Sequence, residues 1–397
     1  MVLGRSAGKR RIAEFGRTMH EEARVSKRED GVWRALGLMS GTSLDGIDVA
    51  VIETDGERVL KRGFSATYPY SEAVRDKLRA SLDEAAEIGE RSARPGRLGL
   101  LEQYLTELNA EAASHYLADH EIAPDSIDVV GYHGQTVLHH PEAGLTVQLG
   151  DGNLLARRLG MPVVYDLRAA DMAAGGQGAP LAPAYHRALA AEITERPVAV
   201  LNLGGVANVT WIGDDGELIA FDTGPASAMI DDWVATKLGQ PFDAGGRLAA
   251  AGTVHERIVA EWLALPYFAE APPKSLDRNA FSLAPVADLS GLDGAATLTA
   301  FSAAAVAASI PHLPAPPRLW IVSGGGRRND TLVAQIRERV GAPVQVAEAF
   351  DLDGDGLEAE AWAFLAVRAR LGLPITFPGT TGVAEPLSGG VTAEANT

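Results

Sequence analysis

The sequence predicts an α/β fold of two similar domains that face one cleft. The main observation is a repeated pattern of strand, glycine-rich turn, strand, hairpin and strand, which occurs at residues 33–68 and again at 198–221. Helical segments and further short strands follow each copy. The chain has 397 residues, which is too long for one compact core. Because ligands bind preferentially between domains, we expect the functional site in the cleft.

The first copy of the pattern has strands predicted at residues 33–38, 47–54 and 59–68. Asp55-Gly56 joins the last two strands and is a typical hairpin signal. The turn between the first two strands is small and polar, with the sequence Gly41-Thr42-Ser43-Leu44-Asp45-Gly46-Ile47-Asp48. Its N–H groups and hydroxyls suit phosphate oxygens, and its carboxylates suit Mg²⁺. The turn alone leaves a plain polar hairpin open as the alternative.

The rest of the first domain, which we place at residues 33–167, alternates helices with strands. Helices are predicted at residues 71–82, 98–117 and 154–159, and strands at 127–132, 146–149 and 162–165. The segment 166–180 is rich in glycine and contains charges, which predicts a functional loop. Residues 1–32 are polar and mixed in charge, so we expect a disordered or non-native tail.

The second domain is placed at residues 168–372. Strands are predicted at 198–203, 209–212, 217–221, 318–323 and 343–347, and helices at 181–191, 227–238, 254–263, 298–310, 330–340 and 356–371. Ser227 is a candidate N-cap for the second of these helices. Residues 373–397 are rich in Gly, Pro and Thr, which predicts an irregular C-terminal tail.

Composition excludes several classes of function. The net charge of −17 argues against a nucleic-acid-binding protein, which would show a basic patch. It also means that local cations, backbone N–H groups or a metal must meet any anionic substrate. The absence of cysteine removes disulfides and thiolate catalysis, and it fits a reducing, cytoplasmic compartment. We see no apolar run of the ~20 residues that would span a membrane.

Several polar residues stand where chemistry is expected. Asp222 lies at a predicted strand end beside Gly224-Pro225, where it either caps a helix or points into the cleft as a base. His133 is either a substrate contact or a satisfied turn residue. The run 351–356 imitates the first half of a calcium-binding EF-hand loop, but Trp362 occupies the twelfth position, where a glutamate is needed. We therefore expect a loop that caps the last helix.

Seven segments, taken together, resemble the anhydro-N-acetylmuramic acid kinases of the sugar-kinase and actin-like ATPase superfamily. They occur in the family's order and span about residues 35–383. The segments are GLMSGTSLDGIDVA from Gly37, GYHGQTVLHHP from Gly131, TVQLGDGNLLA from Thr146, DLRAADMAAGGQGAPLAPAYH from Asp166, LNLGGVANVT from Leu201, FDTGP from Phe221 and TLTAFSA from Thr297.

The resemblance implies two ribonuclease-H-like (actin-like ATPase) domains that flank a cleft, with ATP and Mg²⁺ as cofactors. Nucleotide contacts are implied at Gly41, Thr42, Ser43, Leu44, Asp45, Gly46, Ile47, Asp48, Gly204, Gly205, Asn208, Gly324, Gly325 and Gly326. Substrate contacts are implied at His133, Gln135, Arg168, Asp171, Gln177 and Glu358. Asp222 is the implied catalytic residue, and Asp45 is the implied metal ligand.

The implied reaction opens the 1,6-anhydro ring of 1,6-anhydro-N-acetylmuramic acid with water and phosphorylates O6. The product is N-acetylmuramic acid 6-phosphate, an intermediate of cell-wall recycling. The implied partners are therefore an anhydrosugar and ATP, without nucleic acid or membrane, and the chain is either a monomer or a homodimer. With a reference pKa of about 3.9, Asp222 is expected to be ionised at neutral pH.

Three positions depart from the usual family pattern and leave other substrates open. Ala226-Ser227 stands where Gly-Asn is usual, residues 274–279 read KSLDRN instead of KSTGRE, and Ser323 replaces a common Cys. The alternatives are a kinase that opens levoglucosan, a sugar kinase that acts on a free hydroxyl, and a sugar-responsive regulator on the same scaffold.

Overall fold

Two β-sheets with helices around and between them make up the structure, a computed structural model that describes residues 31–41, 44–278 and 280–395. The strands are β1 (Trp33–Ser40), β2 (Gly46–Thr54), β3 (Val59–Pro69), β4 (Val129–His140), β5 (Leu145–Leu149), β6 (Val163–Tyr165), β7 (Val198–Leu203), β8 (Val206–Ile212), β9 (Leu218–Pro225), β10 (Leu319–Ser323), β11 (Val344–Val346) and β12 (Val391–Ala393). The helices are α1 (Glu72–Ala85), α2 (Leu98–Asp119), α3 (Gly152–Leu159), α4 (Ala169–Ala173), α5 (Pro183–Leu189), α6 (Ser227–Leu238), α7 (Arg247–Ala250), α8 (Glu256–Leu263), α9 (Gly291–Ala308), α10 (Asp330–Val340), α11 (Leu357–Arg370) and α12 (Pro378–Thr381).

The two sheets have the same topology. The first has the order β12-β6-β4-β1-β2-β3, with β5 paired to β4, and the second has the order β11-β10-β7-β8-β9. In each sheet an antiparallel meander of three strands continues into parallel strands beside its first strand. This repeat confirms the predicted α/β fold of two ribonuclease-H-like units. The domain boundaries at residues 167 and 372 stay predictions.

Helix α11 lies directly on the first sheet, where it packs against β1, β2 and β4. A Cβ atom on Gly37 would lie 1.8 Å from the Ala359 carbonyl oxygen, and one on Gly131 would lie 2.0 Å from that of Trp362. Only glycine therefore allows the helix backbone to come this close to the strands. Eleven of the fourteen α11 residues are buried, which makes this helix part of the protein core.

The same core cluster joins α11 to both sheets. It contains Ala35 and Val129 from the first sheet together with Val200 and Ile321 from the second. On the other face of the first sheet, α1, α2 and α3 form a separate cluster. The two sheets therefore share one hydrophobic core, which holds them in a defined relative position.

Helix α9 forms the centre of the second half. Residues Gly291–His312 are long and apolar enough to cross a membrane by length and composition alone, but 72% of the most apolar window is buried inside the protein. The helix packs against α6, α8 and α10. Burial against other helices explains its hydrophobicity, as in the core helix of a globular domain.

The structure differs from the predicted elements in the first half at two places. Strand β4 does not end at residue 132 but continues to His140 and pairs with β5, because the GQTVLHH segment finds an antiparallel partner. The predicted loop 166–180 contains the short helix α4. Residues 1–30, Thr42 and Ser43 lie outside the described residues, so the expectations for them stay predictions.

Three differences concern the second half and the tail. Strand β9 continues through Asp222 to Pro225, so the aspartate lies within a strand. Ser227 is the first residue of α6 and not its cap; its hydroxyl donates to the Gly204 carbonyl at 2.7 Å. The expected irregular tail contains α12 and β12, and β12 pairs antiparallel with β6 because the edge of the first sheet is open there.

We predict that Gly131→Ala lowers the free energy of unfolding by about 3 kcal/mol, because the new methyl group meets backbone atoms that cannot rotate away. Chemical denaturation monitored by circular dichroism measures this difference. Gly89→Ala is the matched control, since nothing lies within 4 Å of a Cβ at that position. Equal stability of the two variants would contradict the helix-on-sheet contact.

Candidate active site

The first glycine-rich turn connects the end of β1 to the start of β2. The Gly41 carbonyl accepts a hydrogen bond from Gln135 Nε2 at 3.0 Å and another from the Leu44 N–H at 3.3 Å. The Asp45 carbonyl accepts from the Tyr70 N–H at 2.9 Å. Gln135 thus holds the turn from the neighbouring strand β4, and we interpret it as a support of the turn as well as a predicted substrate contact.

The second turn, Gly204-Gly205, follows β7 and holds the start of α6. The Gly204 carbonyl accepts from the Ser227 N–H at 3.0 Å, and the Gly205 carbonyl accepts from the N–H groups of Ala226 and Ala228 at 3.0 and 3.2 Å. Turn and helix start therefore form one hydrogen-bonded unit at the carboxyl end of the strand.

The third turn, Gly324 to Gly326, follows β10. Gly324 has a φ of +75°, and a Cβ atom on it would lie 2.2 Å from Asn202 Oδ1, so glycine is required there. A Cβ on Gly326 would lie 2.8 Å from Leu203 Cβ. Gly325, between them, is exposed and would meet nothing within 4 Å. Packing against β7 explains the outer two glycines, whereas the middle one borders open space that a ligand can enter.

A row of polar side chains crosses the second sheet. Asn202 is paired with Asn208 in the β7–β8 register, and Asn208 is paired with Asp222 in the β8–β9 register. Directly paired residues point to the same face of a sheet, about 5 Å apart. Glu358, at the start of α11, accepts a hydrogen bond from Asn202 Nδ2 at 3.1 Å.

This row, Asp222-Asn208-Asn202-Glu358, brings together three residues predicted for three different roles. Asp222 is the predicted base, Asn208 a predicted nucleotide contact and Glu358 a predicted sugar contact. Asn202 connects them, and the sequence analysis missed it. The signal for it was its place in the LNLGG segment, two residues before a glycine turn at a strand end.

Asp222 is held by the segment that runs alongside β9. Its Oδ2 accepts from the Leu276 N–H at 2.7 Å, and its own N–H donates to the Lys274 carbonyl at 3.1 Å. Tyr267 donates its hydroxyl to the Asp222 carbonyl at 2.5 Å. Burial raises the pKa of Asp222 to about 7, although the Leu276 N–H acts in the opposite direction. The expectation of a fully ionised Asp222 at neutral pH is therefore wrong, because desolvation disfavours the charged form.

His133 contacts protein groups through both ring nitrogens. Nδ1 lies 3.1 Å from the Ser40 carbonyl, which only accepts, so Nδ1 carries the proton. Nε2 then accepts from Arg168 Nη2 at 3.0 Å. The ring is buried against Trp362, with centroids 4.5 Å apart. Both ring nitrogens have protein partners, so His133 positions Arg168, and its predicted substrate contact stays a prediction.

Arg168 is the cation that this arrangement presents. Its Nη1 donates to the Gly178 carbonyl at 2.7 Å, and its guanidinium lies 5.4 Å from the Trp362 ring. Burial lowers the pKa of Arg168 to about 10, while the carboxylates of Glu358 and Asp171 act in the opposite direction. It stays charged at neutral pH. Burial also raises the pKa of Glu358, partly offset by Asn202 and Arg168.

The two other predicted substrate residues of this segment contact the protein. Asp171 is buried; Oδ1 accepts from the Gly178 N–H and Oδ2 from Thr381 Oγ1, both at 2.6 Å. Gln177 donates its N–H to the Thr381 carbonyl at 2.8 Å and its Nε2 to the Pro273 carbonyl at 3.3 Å. Both carboxylate oxygens of Asp171 thus accept hydrogen bonds from the protein, and its predicted substrate contact stays a prediction. Gln177 connects this segment to the one that holds Asp222.

Comparison with known proteins identifies the family. A model of the anhydro-N-acetylmuramic acid kinase family matches residues 33–395. The chain belongs to this family. The anhydro-N-acetylmuramic acid kinase of Methylobacterium nodulans is 54% identical over 371 residues, which are 91% of this chain and 99% of that protein. The one of Bradyrhizobium diazoefficiens is 53% identical over 361 residues, or 90% and 98%.

Similarity to solved structures is more distant. The (R)-2-hydroxyglutaryl-CoA dehydratase component A of Acidaminococcus fermentans covers 85% of this chain with a TM-score of 0.45 and 11% identity. A likeness at that level carries no argument about function. Membership in the anhydro-N-acetylmuramic acid kinase family confirms the predicted resemblance, and it makes the chain an enzyme rather than a regulator.

The carboxylates near the first turn bear on metal binding in this kinase. Asp48 accepts from Thr67 Oγ1 at 2.6 Å, and burial raises its pKa to about 6, with Asp45, Glu358 and Asp355 adding repulsion. Within the described ranges, no group of three or more histidine or carboxylate side chains could hold a metal by itself. The two carboxylates of Asp45 and Asp48 suit Mg²⁺, because this ion is usually bound by one or two carboxylates together with substrate phosphates.

The EF-hand-like segment has a structural role. Asp353 accepts from Ser65 Oγ, and Asp355 forms ion pairs with Arg327 at 2.8 Å and with Arg328. The Gly354 carbonyl accepts from the Gly324 N–H at 3.3 Å. The segment therefore connects β3 to the third glycine turn immediately before α11, and the carboxylates of Asp353 and Asp355 are engaged with the protein.

We predict that His133 stays neutral, with its proton on Nδ1, from about pH 5 to 8, because burial and the Arg168 charge lower its pKa to about 3. Nitrogen-15 shifts of labelled histidine report both tautomer and charge. In Arg168→Met the pKa of His133 should rise, since the nearby positive charge is gone. Proton uptake by His133 between pH 5 and 8 in the unchanged protein would contradict the assignment.

Proposed function

We propose that this kinase uses ATP to open the 1,6-anhydro ring of 1,6-anhydro-N-acetylmuramic acid and to phosphorylate its O6. The observation that carries the proposal is the polar row that joins Asp222 to Glu358 across the second sheet. A nucleophilic water needs a base, and the sugar needs polar contacts within a few ångströms of that base. Asp222 is suited to act as the base, and Glu358 together with Asn202 is suited to contact the sugar.

The proposed step balances as follows. Asp222 in its ionised form takes a proton from a water molecule while the water oxygen forms a bond to C1 of the sugar. The C1–O6 bond breaks, and O6 forms a bond to the γ-phosphorus of ATP as ADP departs. The charge that develops on O6 is taken up by the transferred phosphoryl group, so no separate acid is required. The product is N-acetylmuramic acid 6-phosphate.

The nucleotide is proposed to lie along the strand-end turns. Residues 41–48, Gly204-Gly205 and Gly324 to Gly326 would surround its phosphates and ribose with backbone N–H groups, and Gly325 leaves room for the approach. Asp45 and Asp48 would hold Mg²⁺, which when bound supplies positive charge to the phosphate oxygens. ATP as substrate is also the reason to propose a cytoplasmic location.

The raised pKa of Asp222 fits its proposed role. A carboxylate with a pKa of about 7 is a stronger base than one at 3.8, and it is still partly ionised at neutral pH. The environment of Asp222 achieves this by burial, while the Leu276 N–H keeps the ionised form accessible. The departure from the family pattern at Leu276 leaves this contact intact, because a backbone group makes it.

Labelled water provides the direct test of ring opening. With water enriched in oxygen-18 and 1,6-anhydro-N-acetylmuramic acid, the phosphorylated product should carry the heavy oxygen at C1, as mass spectrometry of the product and its fragments will report. A phosphorylated product without label would mean transfer to a free hydroxyl, and the ring-opening proposal would fail.

Asp222→Asn should lower kcat about 10²- to 10⁴-fold, which is the usual contribution of a general base, while nucleotide affinity stays near the wild-type value. A coupled ADP-release assay measures turnover, and calorimetry measures nucleotide binding. Asp214→Asn is the matched control, because Asp214 is exposed in the hairpin turn of the same meander. Turnover of Asp222→Asn near the wild-type rate would exclude Asp222 as the base.

The pH dependence of kcat/KM should follow the ionisation of Asp222. The base must be deprotonated, and burial raises its pKa to about 7, so activity should rise with pH and level off above about pH 8. At pH 6 about a tenth of the plateau value is expected. Steady-state kinetics in constant-ionic-strength buffers measure the profile; a flat profile down to pH 5 would contradict the raised pKa.

A further inference from the structure

A cavity of about 470 Å³ lies beside the middle of β4, along β5 and at the carboxyl end of β6. His133 and Gly134 line one side, Tyr165 and Asp166 another, and Arg91 and Arg94 a third. The carboxyl ends of parallel strands are a common place for ligands in α/β proteins. None of the residues that line this cavity takes part in the proposed reaction, although His133 holds Arg168 in place.

The two arginines of the cavity differ in what they can offer. Arg94 is committed to the protein, since it donates to Glu102 at 2.8 Å and to the carbonyls of Arg91 and Ala93 at 2.9 Å. The Arg91 side chain is 48% exposed and donates through Nη1 to Asp166. In the part of the chain that the structure describes, its other guanidinium N–H groups have no protein acceptor. Arg91 thus retains free donors that face the cavity.

Asp166 fixes the position of Arg91. Its φ of +55° is rare for a residue other than glycine, and its carboxylate is only 16% exposed. The Asp166 carboxylate pairs with Arg91. Arg168, in contrast, is influenced by two carboxylates, Glu358 and Asp171, whose charges raise its pKa. Because a guanidinium can serve two carboxylates through its separate edges, the Arg91–Asp166 pair leaves one edge for an anionic ligand.

The cavity is connected to the polar row through His133. This residue lines the cavity and accepts the hydrogen bond of Arg168, which lies two residues after Asp166 and acts on Glu358. The cavity and the polar row therefore share the His133–Arg168 contact as a common border.

We propose that this cavity receives the carboxylate-bearing substituent of the acceptor sugar and that Arg91 is the cation that recognises it. The inference rests on the proposed function, because 1,6-anhydro-N-acetylmuramic acid carries an ether-linked lactyl carboxylate that a plain anhydrosugar lacks. In a chain with a net charge of −17, an anionic substrate requires such a local cation. Arg91 then determines the choice between acidic and neutral anhydrosugars.

The test compares kcat/KM for 1,6-anhydro-N-acetylmuramic acid with kcat/KM for 1,6-anhydro-N-acetylglucosamine, which has a free hydroxyl in place of the lactyl ether. Wild-type enzyme should prefer the acidic sugar. Arg91→Gln should reduce the ratio of the two values about 10- to 100-fold, mainly through KM, because a charge-assisted hydrogen bond is lost. Arg91→Lys keeps the positive charge but lacks the planar guanidinium with its paired N–H donors. Its ratio should therefore lie between those of wild type and Arg91→Gln.

Arg97→Gln is the matched control, since Arg97 belongs to the same loop but pairs with Glu84 and is 77% exposed; it should keep the wild-type ratio. A ratio in Arg91→Gln within threefold of wild type overturns the inference. If wild-type enzyme phosphorylates neither sugar, the proposed function fails. Calorimetry then decides the inference separately: N-acetylmuramic acid should bind wild type more tightly than Arg91→Gln, and equal affinities overturn it.

Discussion

The contact between the backbone of α11 and the strands β1 and β4 is the constraint on which the rest of the structure depends. It exists because Gly37 and Gly131 have no side chains, so that the helix lies where a methyl group would overlap the carbonyls of Ala359 and Trp362. The helix comes late in the chain, after the second sheet, yet it packs on the first. Its residues also belong to the core that both sheets share. One late helix therefore sets how the two sheets face each other.

This placement has direct consequences for the site. Glu358 begins α11 and reaches Asn202 on the second sheet, while Trp362, one turn later, packs against His133 on the first. The same helix thus contributes to the polar row on one side of the cleft and to the Arg168 support on the other. Burial changes the pKa values of two groups in this site. It raises the pKa of Asp222, which suits a base, and it lowers the pKa of His133, which suits a neutral hydrogen-bond acceptor.

Local patterns in the sequence were sufficient for much of the fold. The hairpin at Asp55-Gly56, the two meanders and the helices at 227–238 and 330–340 follow from turn chemistry and periodicity, which act between near neighbours. The errors arose where a distant segment decides the outcome. Strand β4 extends to His140 because β5 pairs with it, and β12 forms because the edge of β6 is free. The Thr381 hydroxyl, 210 positions from Asp171, donates to one of its carboxylate oxygens, a contact that no local pattern predicts.

By itself the sequence determined the two meanders, their glycine turns and the family, and it singled out Asp222 as the predicted base, because motifs and short-range propensities are properties of contiguous residues. Only the tertiary structure decided that Asn202, Asn208, Asp222 and Glu358 form one row, that His133 supports Arg168, and that Asp222 titrates near neutrality. Strand register, burial and electrostatic neighbours depend on groups that are far apart in the chain. No local pattern encodes them, so they become definite only when the chain is folded.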